Sequence, residues 1–180
     1  SYTLPPMGTA ADAEVLDSQG KSRRIHDFLG DSIVLLSFIY TSCSDVNGCP
    51  LASSVLRIVQ EQVRHSADLE DRVRLISFSF DPQYDTPARL REYSSHFLSP
   101  GFDWQFLTSP SPQALAPVLA AYNQWVIRDY DADGNYLGTM SPLLRVYPVS
   151  FTHLTLPTRA PAEISVVLAP LKKKTNVSMS

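Results

Sequence analysis

The sequence lacks the features that mark several common protein classes. Its 180 residues contain only two cysteines, too few for a small scaffold stapled by disulfides. No apolar stretch reaches the roughly 20 residues that a membrane-spanning helix requires. The net charge of −3 provides no basic face for nucleic acid, and no glycine-rich loop is present to cradle phosphates. The length fits one domain with a hydrophobic core.

A continuous apolar run covers residues 33–40 and is typical of a strand buried on both faces. After Cys49 the apolar residues recur at helical spacing and predict one buried face, formed by Ala52, Val55, Leu56, Val59 and Val63. Pro50 fits the first helical position, because the N–H that proline lacks would have no helical partner there. These patterns predict a buried strand that leads through a loop into an amphipathic helix.

The rest of the chain alternates predicted strands with predicted helices. A second buried strand is predicted at residues 73–80, and Thr86 is the N-cap of a helix that buries Leu90, Tyr93 and Phe97. The other predicted elements are a strand at 13–16, a strand at 104–107, a helix from Ser111 that contains Pro117, a hairpin at 125–137 and a strand at 143–147. This order predicts an α/β fold with a partly parallel central sheet.

Cys43 and Cys49 bracket the junction between the first buried strand and its helix. Sites in open α/β sheets form beyond the carboxyl ends of strands, and helix N-termini favour anions, so we expect a stabilised Cys49 thiolate. A thiolate is a nucleophile for disulfide exchange and a soft ligand that suits Cu(I), although zinc and iron stay open. The pair can form a disulfide if the Cα atoms come within about 7 Å. A purely structural bridge or two buried thiols are the alternatives, and the position of the pair favours a function.

Four short segments of the chain resemble one known family. They are Phe-Ile-Tyr-Thr-Ser-Cys at 38–43, Gly-Cys-Pro-Leu at 48–51, Ser-Phe-Ser-Phe-Asp-Pro at 77–82 and Asp-Thr-Pro at 85–87. In this order they are similar to the Sco/SenC proteins, and the similarity covers most of the chain. The resemblance implies a thioredoxin-like fold, with a central sheet flanked by helices. It also implies a metallochaperone-like protein that binds copper and assists assembly of the copper centre of cytochrome c oxidase.

The resemblance assigns roles to individual residues. Cys43 and Cys49 correspond to the two cysteines that bind Cu(I) or Cu(II) in the family, although most members space them more closely. Asp81 and Asp85 fall in the family's acidic loop beside that site. The family's third ligand is a histidine just before a late strand, and Pro142 occupies that position here. Because proline has no ligand atom, we expect weak copper binding by the two sulfurs only.

No other histidine is an evident substitute among His26, His65, His96 and His153. From about residue 148 the chain departs from the family and resembles the peptide obtained when a sequencing-library adapter is translated. We therefore expect a Sco/SenC domain at residues 1–148, with an incomplete C-terminal part. Residues 149–180 are expected to be an atypical tail, either disordered or artefactual.

The resemblance also implies partners and a location. The expected partners are the copper-bearing subunit of cytochrome c oxidase and, beyond it, other copper chaperones or thiol reductants. The expected location is the periplasm or another membrane-facing compartment, with an anchoring segment before Ser1.

A second hypothesis uses the same cysteines for catalysis. In a thiol–disulfide oxidoreductase or peroxidase, one thiolate attacks and the other resolves. Pro142 gives this hypothesis some weight, since redox exchange needs no histidine. Asp81 and Asp85 have a simpler explanation as loop and helix-cap residues, and a domain with neither activity is a third possibility.

Overall fold

The structure is a computed structural model that describes residues 2–3, 10–30, 32–43, 49–141, 146–149 and 155–156. Its strands are β1 (Tyr2–Thr3), β2 (Glu14–Asp17), β3 (Ser22–Arg24), β4 (Ile33–Ile39), β5 (Val73–Ser79), β6 (Trp104–Thr108), β7 (Ile127–Tyr130), β8 (Tyr136–Met140), β9 (Val146–Val149) and β10 (Thr155–Leu156). Its α-helices are α1 (Cys49–Arg64), α2 (Pro87–Ser95) and α3 (Pro112–Ala121), and a 3-10 helix covers Ile25–Phe28. None of these described helices combines the length and the apolar character needed to cross a membrane.

Six of the described strands form one mixed sheet in the order β3-β2-β6-β5-β4-β9. The strands β4, β5 and β6 are parallel, whereas β9 and the β2–β3 pair join the sheet in antiparallel orientation. Ile39 of β4 lies opposite Ser79 of β5, so the residues that follow these two strands emerge side by side. The predicted α/β fold with a partly parallel sheet is confirmed, and β1, β3, β10 and the 3-10 helix are additions that the sequence pattern did not predict.

The core lies between this sheet and the helices. Both buried strands were predicted from continuous apolar runs, and both contribute side chains to the two faces of the sheet. Phe38 packs against Phe78 and Tyr122, with ring centroids 6.0 and 5.7 Å apart. The strand that ends at the cysteine-bearing turn, β4, is therefore packed into the core together with β5.

Helix α1 buries Leu56 and Val63 as predicted, and Ala52 and Val59 are partly buried, but the rest of its buried face differs from the prediction. Its buried residues are Cys49, Ser53, Leu56, Gln60 and Val63. Val55, which was predicted to be buried, is 46% exposed. The polar members of the buried face have partners, because Ser53 Oγ hydrogen bonds to Tyr93 OH at 2.8 Å and Gln60 Nε2 donates to Phe97 O at 3.1 Å. A satisfied polar side chain can replace an apolar one in a core, so apolar spacing alone misassigned Val55 and missed Ser53 and Gln60.

The predicted helix caps and hairpin are confirmed. Thr86 Oγ1 accepts the backbone N–H of Arg89 at 3.4 Å, and Ser111 Oγ accepts that of Ala114 at 3.1 Å. Pro117 lies inside α3, as the sequence predicts. The strands β7 and β8 pair with each other as a separate two-stranded hairpin.

The last strand of the described sheet overlaps the predicted one. β9 covers Val146–Val149, and the sequence pattern placed a strand at residues 143–147, of which 143–145 lie outside the described residues. Pro148 is tolerated there, opposite Leu35, because β9 is an edge strand of the described sheet. The division after residue 148 stays a prediction, since most of residues 149–180 lie outside the described residues.

Candidate functional site

Cys43 and Cys49 meet at the carboxyl end of β4. Cys43 lies in the turn after the strand, where its N–H donates to Tyr40 O at 3.4 Å, and Cys49 is the first residue of α1. Their side chains hydrogen bond to each other, and both are free thiols. Cys49 is completely buried, whereas Cys43 is partly exposed. The two cysteines therefore form one thiol site with a buried member and an accessible member.

Burial is the largest influence on the pKa of Cys49. It raises the pKa of the Cys49 thiol far above the ordinary range, and the neighbouring Cys43 and Asp85 raise it further. The backbone N–H of Tyr40 donates to Cys49 Sγ at 3.4 Å and acts in the opposite direction, but more weakly than burial. The expectation of a stabilised Cys49 thiolate is therefore wrong. The side chain is a neutral thiol near pH 7, because lost hydration outweighs the favourable position at a helix N-terminus.

Asp85 links the two loops beside the thiol pair through hydrogen bonds. Its fully buried carboxylate accepts the Thr41 backbone N–H at 3.0 Å, the Thr41 hydroxyl and, at 2.5 Å, the Ser79 hydroxyl. Burial raises the pKa of Asp85, and the nearby Asp81 carboxylate adds to that effect, while these hydrogen bonds oppose it. Because Thr41 and Ser79 occupy its oxygen atoms, Asp85 supports the turn that carries Cys43.

Asp81 connects the same region to the β7–β8 hairpin. The Tyr136 hydroxyl donates to Asp81 Oδ2 and also hydrogen bonds to Thr139 Oγ1. The backbone N–H of Asp81 donates at 3.0 Å to Ser79 Oγ, the hydroxyl that in turn donates to Asp85. Burial and the Asp81 carboxylate raise the pKa of Tyr136, so its hydroxyl keeps its proton. Asp81 Oδ1 is buried and has no hydrogen-bond partner within the described ranges.

A tyrosine of α2, Tyr93, lies near the thiols. The Tyr93 hydroxyl hydrogen bonds to Ser53, which lies one helical turn after Cys49. Burial raises the pKa of Tyr93 to about 12, and the nearby Cys49, Cys43 and Asp85 add to the effect. Tyr93 is therefore a neutral hydroxyl beside the buried thiol, able to hydrogen bond but not to carry charge at neutral pH.

The described histidines do not complete a metal site. His26 and His65 hydrogen bond to backbone carbonyls, and His96 is exposed at the end of α2. In the part of the chain that the structure describes, no three His, Cys, Asp or Glu side chains cluster as metal ligands. Pro142 and His153 lie outside the described residues. The described donor set is thus a pair of soft sulfurs, which fits Cu(I) better than a hard cation.

Several residues of this region were not identified from the sequence; they are Thr41, Ser53, Ser79, Tyr93 and Tyr136. Thr41 and Ser79 could have been anticipated, because they lie at the ends of neighbouring parallel strands. Tyr136 is separated from Asp81 by 55 positions, and no local pattern indicates that contact.

Known proteins resemble the chain in sequence. The SCO1/SenC family profile matches residues 7–141, a range that contains both cysteines and both aspartates of the site. The SCO1 protein homolog of Bacillus subtilis is 30% identical over 95 residues, an alignment that covers 53% of this chain and 46% of that relative. The alignment thus spans a little under half of the relative's length.

Solved structures resemble the chain in fold. ScoI of Bradyrhizobium japonicum, solved with copper bound, matches with a TM-score of 0.57 at 28% identity, covering 77% of this chain and 82% of that one. Arabidopsis thaliana ScoI, also solved with copper bound, matches with a TM-score of 0.64 at 19% identity, covering 82% and 86%. The expected thioredoxin-like, Sco-type fold is therefore confirmed. With its paired thiols at the end of β4 and a profile match over well more than half its length, the chain belongs to the SCO1/SenC family.

Proposed function

We propose that this SCO1/SenC protein takes up copper between Cys43 and Cys49 and passes it to the copper-bearing subunit of cytochrome c oxidase. The observation that supports this most directly is the contact between the two thiols, one buried and one accessible, at the carboxyl end of β4. Two converging sulfurs are a donor set that Cu(I) prefers. Copper is cargo in this proposal, and the protein is a transfer module.

The electrostatics of the pair keep Cys49 protonated in the metal-free protein and allow a bound cation to replace its proton. Two adjacent thiolates would repel each other, which agrees with the way Cys43 raises the pKa of the buried Cys49. A bound Cu(I) neutralises part of that charge and replaces the proton of Cys49, so uptake releases protons. The buried thiol therefore stays protonated until a soft cation arrives, and the accessible Cys43 is the sulfur that meets the cation first.

The remaining parts of the proposal follow from the family resemblance. Cys43 and Cys49 act as the metal ligands, with Asp81 and Asp85 supporting the loops around them. Pro142 supplies no third ligand, so we propose a copper site with sulfur ligands only. We place the functional domain at residues 1–148, and we place the protein in the periplasm or facing a membrane, beside the oxidase it serves.

A competition titration tests the proposal. Reduced protein is titrated anaerobically with Cu(I) against a chromophoric Cu(I) chelator, and we expect uptake of one Cu(I) per chain. Cys43→Ser and Cys49→Ser each remove a ligand and should lower the affinity at least about 100-fold, because a single sulfur cannot chelate. Ser42→Ala, at the exposed residue before Cys43, is the matched control and should bind like the wild type. If the chelator retains all the copper in the presence of the wild-type protein, the proposal is rejected.

The thiol contact also supports a second candidate, a thiol–disulfide oxidoreductase. The accessible Cys43 would attack a substrate disulfide, and Cys49 would then displace the substrate, so that two protein thiols become one disulfide while the substrate disulfide becomes two thiols. Negligible Cu(I) uptake, together with catalytic reduction of a disulfide substrate that Cys43→Ser abolishes, would establish this candidate instead.

A further inference from the structure

Two hydroxyl groups hydrogen bond to each other in the core near the buried thiol. The Tyr93 hydroxyl of α2 and Ser53 Oγ of α1 are 2.8 Å apart. Ser53 is completely buried, like Cys49 on the same helix. Phenylalanine and alanine would fill the same space, and replacing both partners of a buried hydrogen bond by apolar groups is often nearly neutral for stability. The stability of the core alone therefore does not account for this hydroxyl pair.

Ser53 lies next to Cys49 along α1. Residues four positions apart on a helix have Cβ atoms only about 5–6 Å apart. Helical side chains also lean toward the N-terminus, so the Ser53 side chain leans toward the turn that begins with Cys49. Both residues belong to the buried face of the helix. The Ser53 hydroxyl is therefore a near neighbour of the Cys49 side chain.

The adjacent serine of α1 makes a different hydrogen bond. Ser54 Oγ donates to Pro50 O at 2.8 Å, the carbonyl one turn earlier, as serines inside helices commonly do. Ser53 instead hydrogen bonds to Tyr93, a residue of another helix that lies near the thiols. The Ser53 hydroxyl is therefore directed toward the thiol region and is not used to satisfy the backbone of its own helix.

The Tyr93 hydroxyl is held in place by its aromatic ring. The ring packs against Phe97 and Phe106, with centroids 5.0 and 6.1 Å apart. Cys49 and Cys43 both contribute to the raised pKa of Tyr93, so its hydroxyl lies within electrostatic range of both sulfurs. Because the phenol is neutral, it can stabilise a charged sulfur only as a dipole or as a hydrogen-bond donor.

The hydroxyl pair carries one more proton than its own hydrogen bond uses. The two groups have two protons, and the bond between Ser53 and Tyr93 takes one of them. Among the described residues, neither hydroxyl has a second hydrogen-bond partner. Cys49 Sγ accepts the Tyr40 N–H at 3.4 Å, and a sulfur that ligates a metal can accept further hydrogen bonds. The Cys49 sulfur is therefore a nearby acceptor for the remaining proton.

We propose that Tyr93 and Ser53 are positioning residues of the copper site, and that their remaining proton is donated to Cys49 Sγ when that sulfur carries negative charge, as it does with copper bound. This inference rests on the proposed function and specifies how the chain controls the buried ligand. Copper replaces the thiol proton of Cys49, and a charged sulfur is a better hydrogen-bond acceptor than a thiol. Such a hydrogen bond orients the ligand and withdraws electron density from it, which tunes metal affinity and reduction potential.

The double variant Tyr93→Phe with Ser53→Ala tests the proposal. It removes both hydroxyls and leaves no polar group without a partner, so the urea midpoint of the metal-free protein should change little. In the chelator competition we expect the Cu(I) affinity to fall at least about tenfold, the usual effect of losing a group that orients a metal ligand. Tyr130→Phe with Ser54→Ala is the matched control, at exposed residues, and should bind like the wild type.

A spectroscopic signature separates positioning from packing. With Cu(II) bound, the sulfur-to-copper charge-transfer absorption of the double variant should move to longer wavelength, because a sulfur without its donor gives up electron density more easily. The single variants identify the donor, since the hydroxyl next to the sulfur is the one whose removal produces most of the shift. An absorption band that stays in place in the double variant overturns the proposal.

Alkylation examines the same hydrogen bond without metal. In the Cys43→Ser background Cys49 is the remaining cysteine, and iodoacetamide reacts with its thiolate. Adding Tyr93→Phe with Ser53→Ala should slow the reaction at alkaline pH at least about threefold, because the thiolate loses a donor. The two proteins should react alike in urea. Equal rates in the folded proteins contradict a hydrogen bond to the sulfur.

Failure of this inference and failure of the proposed function give different results. Wild-type protein that leaves all Cu(I) with the chelator rejects the proposed function, and the alkylation comparison then still decides whether the hydroxyl pair donates to Cys49. Wild-type protein that binds Cu(I), with the same affinity in the Tyr93→Phe, Ser53→Ala variant, overturns the inference alone. A loss of affinity that the Tyr130→Phe, Ser54→Ala control shares also overturns it.

Discussion

Thr41 gives both its backbone N–H and its hydroxyl to Asp85, a carboxylate 44 positions further along the chain. Thr41 begins the turn that carries Cys43, and Asp85 belongs to the loop after β5. Their contact joins the ends of two adjacent parallel strands directly beside the thiols. The geometry of the site therefore depends on a buried polar contact as well as on apolar packing.

Thr41→Val should measure the strength of this contact. Valine has nearly the shape of threonine but lacks the hydroxyl, so Asp85 loses one donor while the backbone N–H stays in place. We expect the free energy of unfolding in urea to fall by about 1–3 kcal/mol, the usual cost of an unsatisfied buried polar group. Ser42→Ala, at an exposed neighbour, should change it by less than about 0.5 kcal/mol. Equal values for the two variants contradict the role assigned to Thr41.

The pKa of Asp85 predicts a pH dependence of stability. Burial raises this pKa, so the folded state binds the Asp85 proton more tightly than the unfolded state does. The group therefore favours folding below the ordinary aspartate pKa of about 3.9, and this contribution is lost as the pH rises through the raised value. Asparagine does not titrate, so the stability of the wild type relative to Asp85→Asn should be greatest in acid and decline toward neutral pH.

Urea unfolding of both proteins between about pH 4 and pH 7 measures this difference. The other titrating groups are common to both chains and largely cancel in the comparison. A relative stability of the wild type that increases with pH would mean that hydrogen bonds to the carboxylate outweigh its burial.

The sequence predicts the sheet and the thiol site well because both depend on strong local patterns. A strand that is apolar on both faces is unfavourable in water, so the sequence predicts that β4 and β5 are buried. Because the two strands are parallel neighbours, their carboxyl ends lie side by side. Cys43 and Cys49 then fall on the turn and helix start that follow β4. The family motifs identified the same two positions.

Features that depend on distant contacts were outside the reach of sequence patterns. Val55 looked buried, but the face of α1 was decided by partners for Ser53 and Gln60 on other elements. The charge state of Cys49 depends on how completely neighbouring elements cover it, which its position at a helix start does not reveal. Likewise, nothing near Asp81 in the sequence indicates its contact with the hairpin.

Tyr136→Phe should show how firmly the hairpin is attached. The substitution keeps the ring and removes the hydroxyl that donates to Asp81, whose other carboxylate oxygen has no partner within the described ranges. We expect a loss of about 1–3 kcal/mol in the free energy of unfolding. Tyr130→Phe is the control on the same hairpin, at a residue 51% exposed, and should cost less than about 0.5 kcal/mol. A similar loss in both variants would indicate a general effect of tyrosine hydroxyls and not the Asp81 contact.

Alkylation should distinguish the two thiols. Cys49→Ser leaves the accessible Cys43, and Cys43→Ser leaves the buried Cys49 with its raised pKa. At neutral pH we expect iodoacetamide to modify the remaining Cys49 at least about tenfold more slowly than the remaining Cys43, followed by mass spectrometry, since only an accessible thiolate reacts. The Cys49 rate should keep rising with pH beyond the range where an ordinary cysteine levels off. In urea the two variants should react alike, and different rates there would point to a cause outside the folded structure.

Pro142→His restores the ligand type that the family resemblance places at this position. Imidazole binds copper well, so the copper hypothesis predicts that a third donor beside the two sulfurs raises Cu(I) affinity at least about tenfold in the chelator competition. A thiol–disulfide exchanger has no use for the imidazole and predicts no gain. Leu98→His adds a histidine at an exposed position beyond α2 and controls for adventitious binding. The gain should also disappear in the Cys43→Ser background, because a histidine that binds copper without the sulfurs is not completing their site.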